Sequence, residues 1–288
     1  MNKPVFYIFS FYRFCKLKNK KKIKKNLENY FKNKVVKGTV LLANEGINAS
    51  LSASKEDLDL IIKYIKRLLK IRKIDIKINK SHFLPFNRIK VRLKNEIVSM
   101  GIKDLDVENH KVFNILPEDW DNFIKNKDYM IIDVRNNYEI GIGKFSNSIN
   151  PNTNSFREFP KKLEEMNIKK NNKLAIYCTG GIRCEKASAF LKLRGYKHIY
   201  QLKGGILNYL QFKKNKKENS HWSGECFVFD DRVTINSQLE KGKYLQCFGC
   251  RQPITKKDTI NKRYIKGVCC PYCYNNRTES QKKRSASR

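Results

Sequence analysis

The stretch Lys173-Leu-Ala-Ile-Tyr-Cys-Thr-Gly-Gly-Ile-Arg-Cys-Glu-Lys-Ala-Ser-Ala-Phe-Leu191 constrains this chain more than any other. Leu174 to Tyr177 is a short apolar run of the kind a buried parallel strand leaves. Ala187, Phe190 and Leu191 then recur at helical spacing, and Gly195 supplies a stop. Between the predicted strand and helix lies a loop of Cys178, Thr179, Gly180, Gly181, Ile182 and Arg183, opening on a thiol and closing on a guanidinium. The two glycines let the backbone bend so that successive N–H groups turn inward, as in an anion nest. The following helix adds the positive end of its dipole. A cysteine placed there is expected to have a depressed pKa and to persist as a reactive thiolate. The bland reading is a buried structural cysteine beside a glycine turn, and the agreement of strand, thiol, glycines, arginine and helix argues against it.

With 288 residues the chain has room for two or three domains, and its 40% hydrophobic and 11% aromatic content marks a globular protein. The net charge of +34 points to a polyanionic partner, RNA first. An AT-rich genome would also enrich Lys, Asn and Ile, so charge alone does not place the RNA. Nine cysteines at irregular spacing suggest metal and thiol chemistry in a reducing compartment rather than a disulfide framework. The apolar run Val5 to Phe9 leads directly into Tyr12 and Arg13, which predicts a first strand rather than a signal peptide. No stretch is long enough for a membrane span. These features together predict a cytoplasmic protein.

Apolar periodicity divides the chain. Strand-like Val5–Phe11, a basic helical stretch 16–34, strands at Gly38–Leu42 and Ala49–Leu51, an amphipathic helix 55–70, and period-two runs at Ile74–Ile78 and Ile89–Leu93 follow one another. That β-α-β-β-α-β order predicts a ferredoxin-like domain over residues 1–100. Residues 101–115 are expected to be a linker. Over 116–215, Tyr129–Asp133, Leu174–Tyr177 and His198–Leu202 alternate with helical stretches, predicting a parallel α/β domain with the cysteine loop at a strand's carboxyl end. In the final segment, 216–280, Cys247-x-x-Cys250 and Cys270-x-x-Cys273 have the spacing of a tetrahedral zinc site, and a structural role is expected because neither a histidine nor a carboxylate partner stands beside them. Cys269 is an extra thiol, since the two-residue gap selects Cys270. Residues 281–288 are expected to be a disordered basic tail.

The strand–Cys-x-x-Gly-x-Arg–helix pattern resembles the active loop of rhodanese domains, whose cysteine carries a persulfide. The longer run Tyr177 to Ala189 is similar to the rhodanese-domain tRNA uridine hydroxylases of bacteria, as are Leu41-Leu-Ala-Asn-Glu-Gly-Ile-Asn48, Ile149 to Pro160 and His221 to Val233. That resemblance implies formation of 5-hydroxyuridine at the tRNA wobble position with molecular oxygen as co-substrate. It also implies support from Asp133 and Arg135, which match an Asp-Val-Arg signature, and from Arg157 as a phosphate or loop-closing contact. The family's Lys-Gly-Ala before Ile-Asn-Pro is replaced here by Ser146-Asn-Ser148, a departure not expected to reach the chemistry. Asp133 and Arg135 also admit a purely structural ion-pair reading.

Three function classes stay open on the residues alone. A wobble-uridine hydroxylase follows from the resemblance; a sulfurtransferase needs only a Cys178 persulfide; an RNA-binding adaptor needs no chemistry. A phosphatase is disfavoured, because rhodanese-like phosphatases carry a loop one residue longer. The chain has no flavin, haem or nucleotide fingerprint, and its four histidines are scattered, so the oxygen-activating species and the electron donor are unspecified. Cys184, one helical turn in, is either a resolving thiol or a core residue, and Arg183 is expected to orient an anion.

Overall fold

The computed structural model describes residues 5–103, 105–110 and 112–287. Its first unit contains β1 (Phe6–Phe14), α1 (Lys20–Phe31), β2 (Lys37–Ala43), β3 (Gly46–Ala53), α2 (Lys55–Leu69), β4 (Ile76–Ser81) and β5 (Ile89–Leu93). The sheet order is β4-β1-β3-β2-β5, antiparallel except for the β2–β5 pair. The first four strands have the expected ferredoxin-like arrangement, and β5 extends that sheet along β2.

Period-two alternation gives this sheet two unlike faces. Phe9, Phe11, Val40, Leu42 and Leu51 face the helices, meeting Leu27, Phe31, Leu58, Ile61 and Ile65 in one core. Ile8, Ser10, Tyr12, Leu41, Asn48 and Lys77 face the other way. Each fully buried aliphatic or aromatic side chain in that core contributes roughly 1.5–3 kcal/mol. The connection between the strands expected at Gly38–Leu42 and Ala49–Leu51 is shorter than their spacing suggested: Ala43 pairs with Gly46, leaving Asn44 and Glu45 as a two-residue hairpin. Ile47 then belongs to the core rather than to the turn.

The second unit runs through β6 (Phe113–Ile115), α3 (Trp120–Lys125), β7 (Tyr129–Asp133), α4 (Asn137–Ile140), β8 (Gly143–Phe145), α5 (Phe159–Glu165), β9 (Lys173–Tyr177), α6 (Ile182–Leu193), β10 (His198–Leu202) and α7 (Gly205–Lys216). Its sheet, β6-β10-β9-β7, is wholly parallel and buried on both faces.

Three expectations need correction here. The stretch 101–115 is not a free linker, because β6 completes the parallel sheet against β10. Upstream of it, Ile97 and Val107 pack with Phe14, Ala43 and Ala189, sealing the first unit to the second. The apolar residues in that stretch have no regular period, so their burial depends on two surfaces that meet only in the fold.

The terminal segment also begins inside the second unit. Strand β11 (Trp222–Gly224) pairs antiparallel with β8, and the Trp222 ring lies 4.9 Å from the Arg135 guanidinium. Short two-residue strands β12 (Cys226–Phe227), β13 (Thr234–Ile235), β14 (Leu245–Gln246) and β15 (Pro253–Ile254) follow. The expected disordered tail is instead α8 (Glu279–Ala286) over its described residues. Thr278 and Gln281 close a reciprocal capping box that nucleates it, a local signal outweighed at the sequence level by the run of charges.

Candidate active site

Strand β9 carries the apolar run to the sheet's carboxyl end, and the chain leaves it at Cys178. Gly181 takes φ 97°, a left-handed conformation that lets the chain turn into α6. Across the loop, Gly205 at φ 68° opens α7, whose Ile206 and Leu207 N–H groups donate to the Cys178 and Thr179 carbonyls at 3.0 and 3.1 Å. A side chain at Gly205 would collide with those same two carbonyls, so the glycine is required by close approach.

The thiol is buried, and its Sγ accepts from the Gly181 N–H at 3.1 Å. Burial pushes the Cys178 pKa up. Hydrogen bonding from the Cys184 thiol, the Arg183 charge and the Cys184 and Gly181 N–H groups outweigh it, bringing the value down to about 5. Cys178 is therefore a thiolate at neutral pH. Burial and the donation to Cys178 push Cys184 the other way, so it stays a thiol and acts as donor.

Arg183 differs from expectation. Its two terminal nitrogens bind both carboxylate oxygens of buried Glu139 at 2.6 and 2.7 Å, and Nη2 also reaches Thr179 Oγ1 at 3.3 Å. The guanidinium fork is thus committed to a carboxylate, leaving its field to act on the thiolate. Asp133 and Arg135 form a second buried pair, 2.6 Å apart, with Arg135 also donating to the Glu139 and Gly143 carbonyls. They position the Glu139 turn and do not line the cavity beside the loop. Arg157 is exposed on a 3₁₀ turn, while its neighbour Phe156 lines that cavity.

The cavity measures about 470 Å³ and lies where three parts of the chain meet. Its walls are the helix-free face of the first sheet, the Cys178 loop, and residues Val228 to Asp230 with Arg232 from the terminal segment. Lys77 of β4 donates to the Gly180 carbonyl and lies 5.5 Å from the Tyr12 ring. Burial lowers the Lys77 pKa against the opposing pull of the Cys178 thiolate. Tyr12 Oη donates to Glu185 Oε1 at 3.3 Å.

Sequence reasoning missed Tyr12, Lys77, Glu139 and Phe229. Glu139 had a local signal, the Asn136-x-x-Glu139 capping box; the others come together only through tertiary contact.

The four knuckle thiols also converge. Cys247, Cys250, Cys270 and Cys273 place their Sγ atoms within 4.8 Å of one another, with the Cys247–Cys273, Cys250–Cys270 and Cys270–Cys273 separations each 3.8 Å. A tetrahedral zinc with bonds of about 2.3 Å requires sulfurs about 3.8 Å apart, so the donor set fits a metal ion. Cys269 points elsewhere, toward the Arg263 carbonyl at 3.7 Å.

Comparison with known proteins agrees with this architecture. Residues 6–97 match the UPF0176 acylphosphatase like domain, and residues 116–211 match the rhodanese-like domain. Among solved structures, a rhodanese-related protein from Thermoplasma volcanium is 28% identical, covering 35% of this chain and 92% of its own at a TM-score of 0.28. A rhodanese-like domain protein from Staphylococcus aureus is 24% identical, covering 34% of this chain and 91% of its own at a TM-score of 0.29. Over 281 residues the chain is 46% identical to a Pelagibacter ubique (strain HTCC1062) protein named tRNA uridine(34) hydroxylase, covering 97% of this chain and 92% of that one. A match of that extent covers all three parts of the chain that meet at the cavity, and the chain belongs to the tRNA uridine(34) hydroxylase family.

Proposed function

We propose that this protein hydroxylates C5 of the uridine at the tRNA wobble position, with Cys178 as the reacting group and dioxygen as co-substrate. The observation that carries the reading is the Cys178 Sγ, held by the Gly181 N–H at 3.1 Å with the Arg183 charge lowering its pKa, at the wall of a cavity of about 470 Å³. Such a volume suits a nucleotide-sized ligand, and a base in an anticodon loop is already accessible for extrusion into a pocket. The thiolate adds to C6 of the uracil ring, moving the electron pair toward C5 and O4. C5 then accepts the oxygen atom, its proton leaves, and the C6–S bond breaks to restore the thiolate. One atom of dioxygen ends on C5 and the other leaves as water, consuming two protons and two electrons from a cellular reductant. The Lys77 ammonium, set against the loop by Gly180, is placed to neutralise charge developing on the ring oxygen.

The knuckle thiols Cys247, Cys250, Cys270 and Cys273 would hold a structural zinc, which when bound ties the two knuckles of the terminal segment together. Among the described residues no helix is long and apolar enough to cross a membrane.

The test is mass spectrometry of tRNA nucleosides from cells lacking the protein and from complemented cells grown under isotopically heavy dioxygen. Loss of 5-hydroxyuridine without the protein, and heavy oxygen in the restored nucleoside, are expected. Unchanged 5-hydroxyuridine with loss of thiolated nucleosides would favour sulfur transfer, which the rhodanese-like domain also supports.

A further inference from the structure

We propose that a track of cations and exposed aromatics beside the cavity mouth, contributed by β5 and the terminal segment, is the docking surface for the anticodon loop. The inference rests on the hydroxylase reading for the identity of its RNA.

Phe229 starts the track. It lines the cavity, yet 63% of its surface is exposed, and it is held edge-on against buried Phe227 with ring centroids 5.1 Å apart. An apolar ring fixed from behind and open in front is a stacking platform for an unpaired base. Asp231, two residues on, donates its N–H to the Pro85 carbonyl at 2.8 Å, joining this corner to the segment that leads into β5.

Along that junction the cations crowd together. Arg88 and Arg92 are exposed on or beside β5, and exposed Arg251 of the terminal segment lies close enough for its charge to act on Lys90 of that strand. Partial burial, and after it the charges of Arg88, Arg92 and Arg251, lower the pKa of Lys90. Burial and the adjacent Asp230 push the Asp231 carboxyl up, against the opposing charges of Arg251, Lys241 and Lys37 gathered around it.

Two of these cations sit over further exposed rings. The Lys241 ammonium is 5.4 Å from the Phe83 ring centroid, and the Arg251 guanidinium is 5.3 Å from that of Phe248, which is 58% exposed. Folding leaves these rings largely unburied, and among the described residues Arg88, Arg92 and Arg251 form no salt bridge, an arrangement complementary to a single strand. Phosphates neutralise the cations, and bases stack on Phe229 and Phe248 while the target base enters the cavity.

The test uses the full-length protein and a fluorescently labelled anticodon stem–loop carrying uridine at the wobble position, titrated at several salt concentrations. Replacing Arg88, Arg92 and Arg251 together by Ala should weaken binding about tenfold or more and lower the slope of log affinity against log salt by about 2. Phe229→Ala should cost about five- to hundredfold while leaving that slope unchanged. Thermal melts confirm folding, and restoration by the triple Arg→Lys variant separates charge from structure.

Wild-type affinity and slope in both variants would overturn the proposal. So would self-association through this face that disappears in the variants while RNA binding persists. Nucleosides from cells complemented with wild type separate the two readings. Track-dependent binding without 5-hydroxyuridine sinks the hydroxylase alone, and 5-hydroxyuridine with track-blind binding sinks the track alone.

Discussion

Cys178 and Glu139 concentrate the electrostatics of the loop into a few atoms. Folded Cys178 ionises at about 5, whereas an unfolded cysteine does so near about 8.5. The folded pKa is the lower one, so the thiolate's contribution to stability is complete above the unfolded value and lost as pH falls through the folded value. The melting temperature of wild type should therefore rise relative to Cys178→Ser as pH increases from about 5 toward about 8.5. Thiolate ultraviolet absorbance, as wild type minus Cys178→Ser, should show a midpoint near 5. Glu139→Gln leaves the buried Arg183 charge without its carboxylate and should cost about 3–5 kcal/mol in denaturant unfolding. Loss of under about 1 kcal/mol would mean that Arg183 is solvated.

At the scale of elements, α6 explains why the distinctive run continues beyond Arg183. Glu185 accepts from Tyr12 and from Gln201 Nε2 at 2.9 Å. Lys186, buried, binds Glu45 at 2.8 Å and Glu96 at 2.6 Å, and donates to the Val98 carbonyl. One helix thus supplies the thiol's neighbours on its first turn and fastens the N-terminal unit with the next residues. Lys186→Met should weaken that fastening by about 1–3 kcal/mol, a discount on a fully buried pair because both acids retain solvent contact. Limited proteolysis should then cut within residues 94–112, and an unchanged digestion pattern would argue that apolar packing alone joins the units.

The strand–loop–helix around Cys178 was legible because its signals are local: apolar run, glycines, helical period. The two Cys-x-x-Cys knuckles were legible for the same reason. Ser10, Tyr12 and Lys77 were hidden because a polar residue on an alternating strand looks like a solvent face until another unit covers it. Phe229 was hidden because its position depends on the pairing of β11 with β8, seventy-odd residues apart. The Trp222–Arg135 contact behind it is equally non-local.

For the whole molecule, the cavity exists only when all three parts are assembled. The terminal segment is thus part of the cavity wall through Val228 to Asp230 and Arg232, and farther on it brings the four knuckle thiols together. The purified protein is expected to contain one zinc per chain by elemental analysis. Chelation should lower the melting temperature and open residues 245–287 to protease before the parallel sheet unfolds. A chelator-insensitive melt with no bound metal would remove the zinc assignment.

The central claim is that one thiolate in this composite cavity carries out the reaction, and complementation with Cys178→Ser tests it most directly. Cells lacking the protein receive wild type or the variant, tRNA nucleosides are measured, and stem–loop affinity is measured on the purified proteins. The account predicts wild-type affinity, a normal fold and no 5-hydroxyuridine from Cys178→Ser. Full restoration of 5-hydroxyuridine by that variant would contradict it.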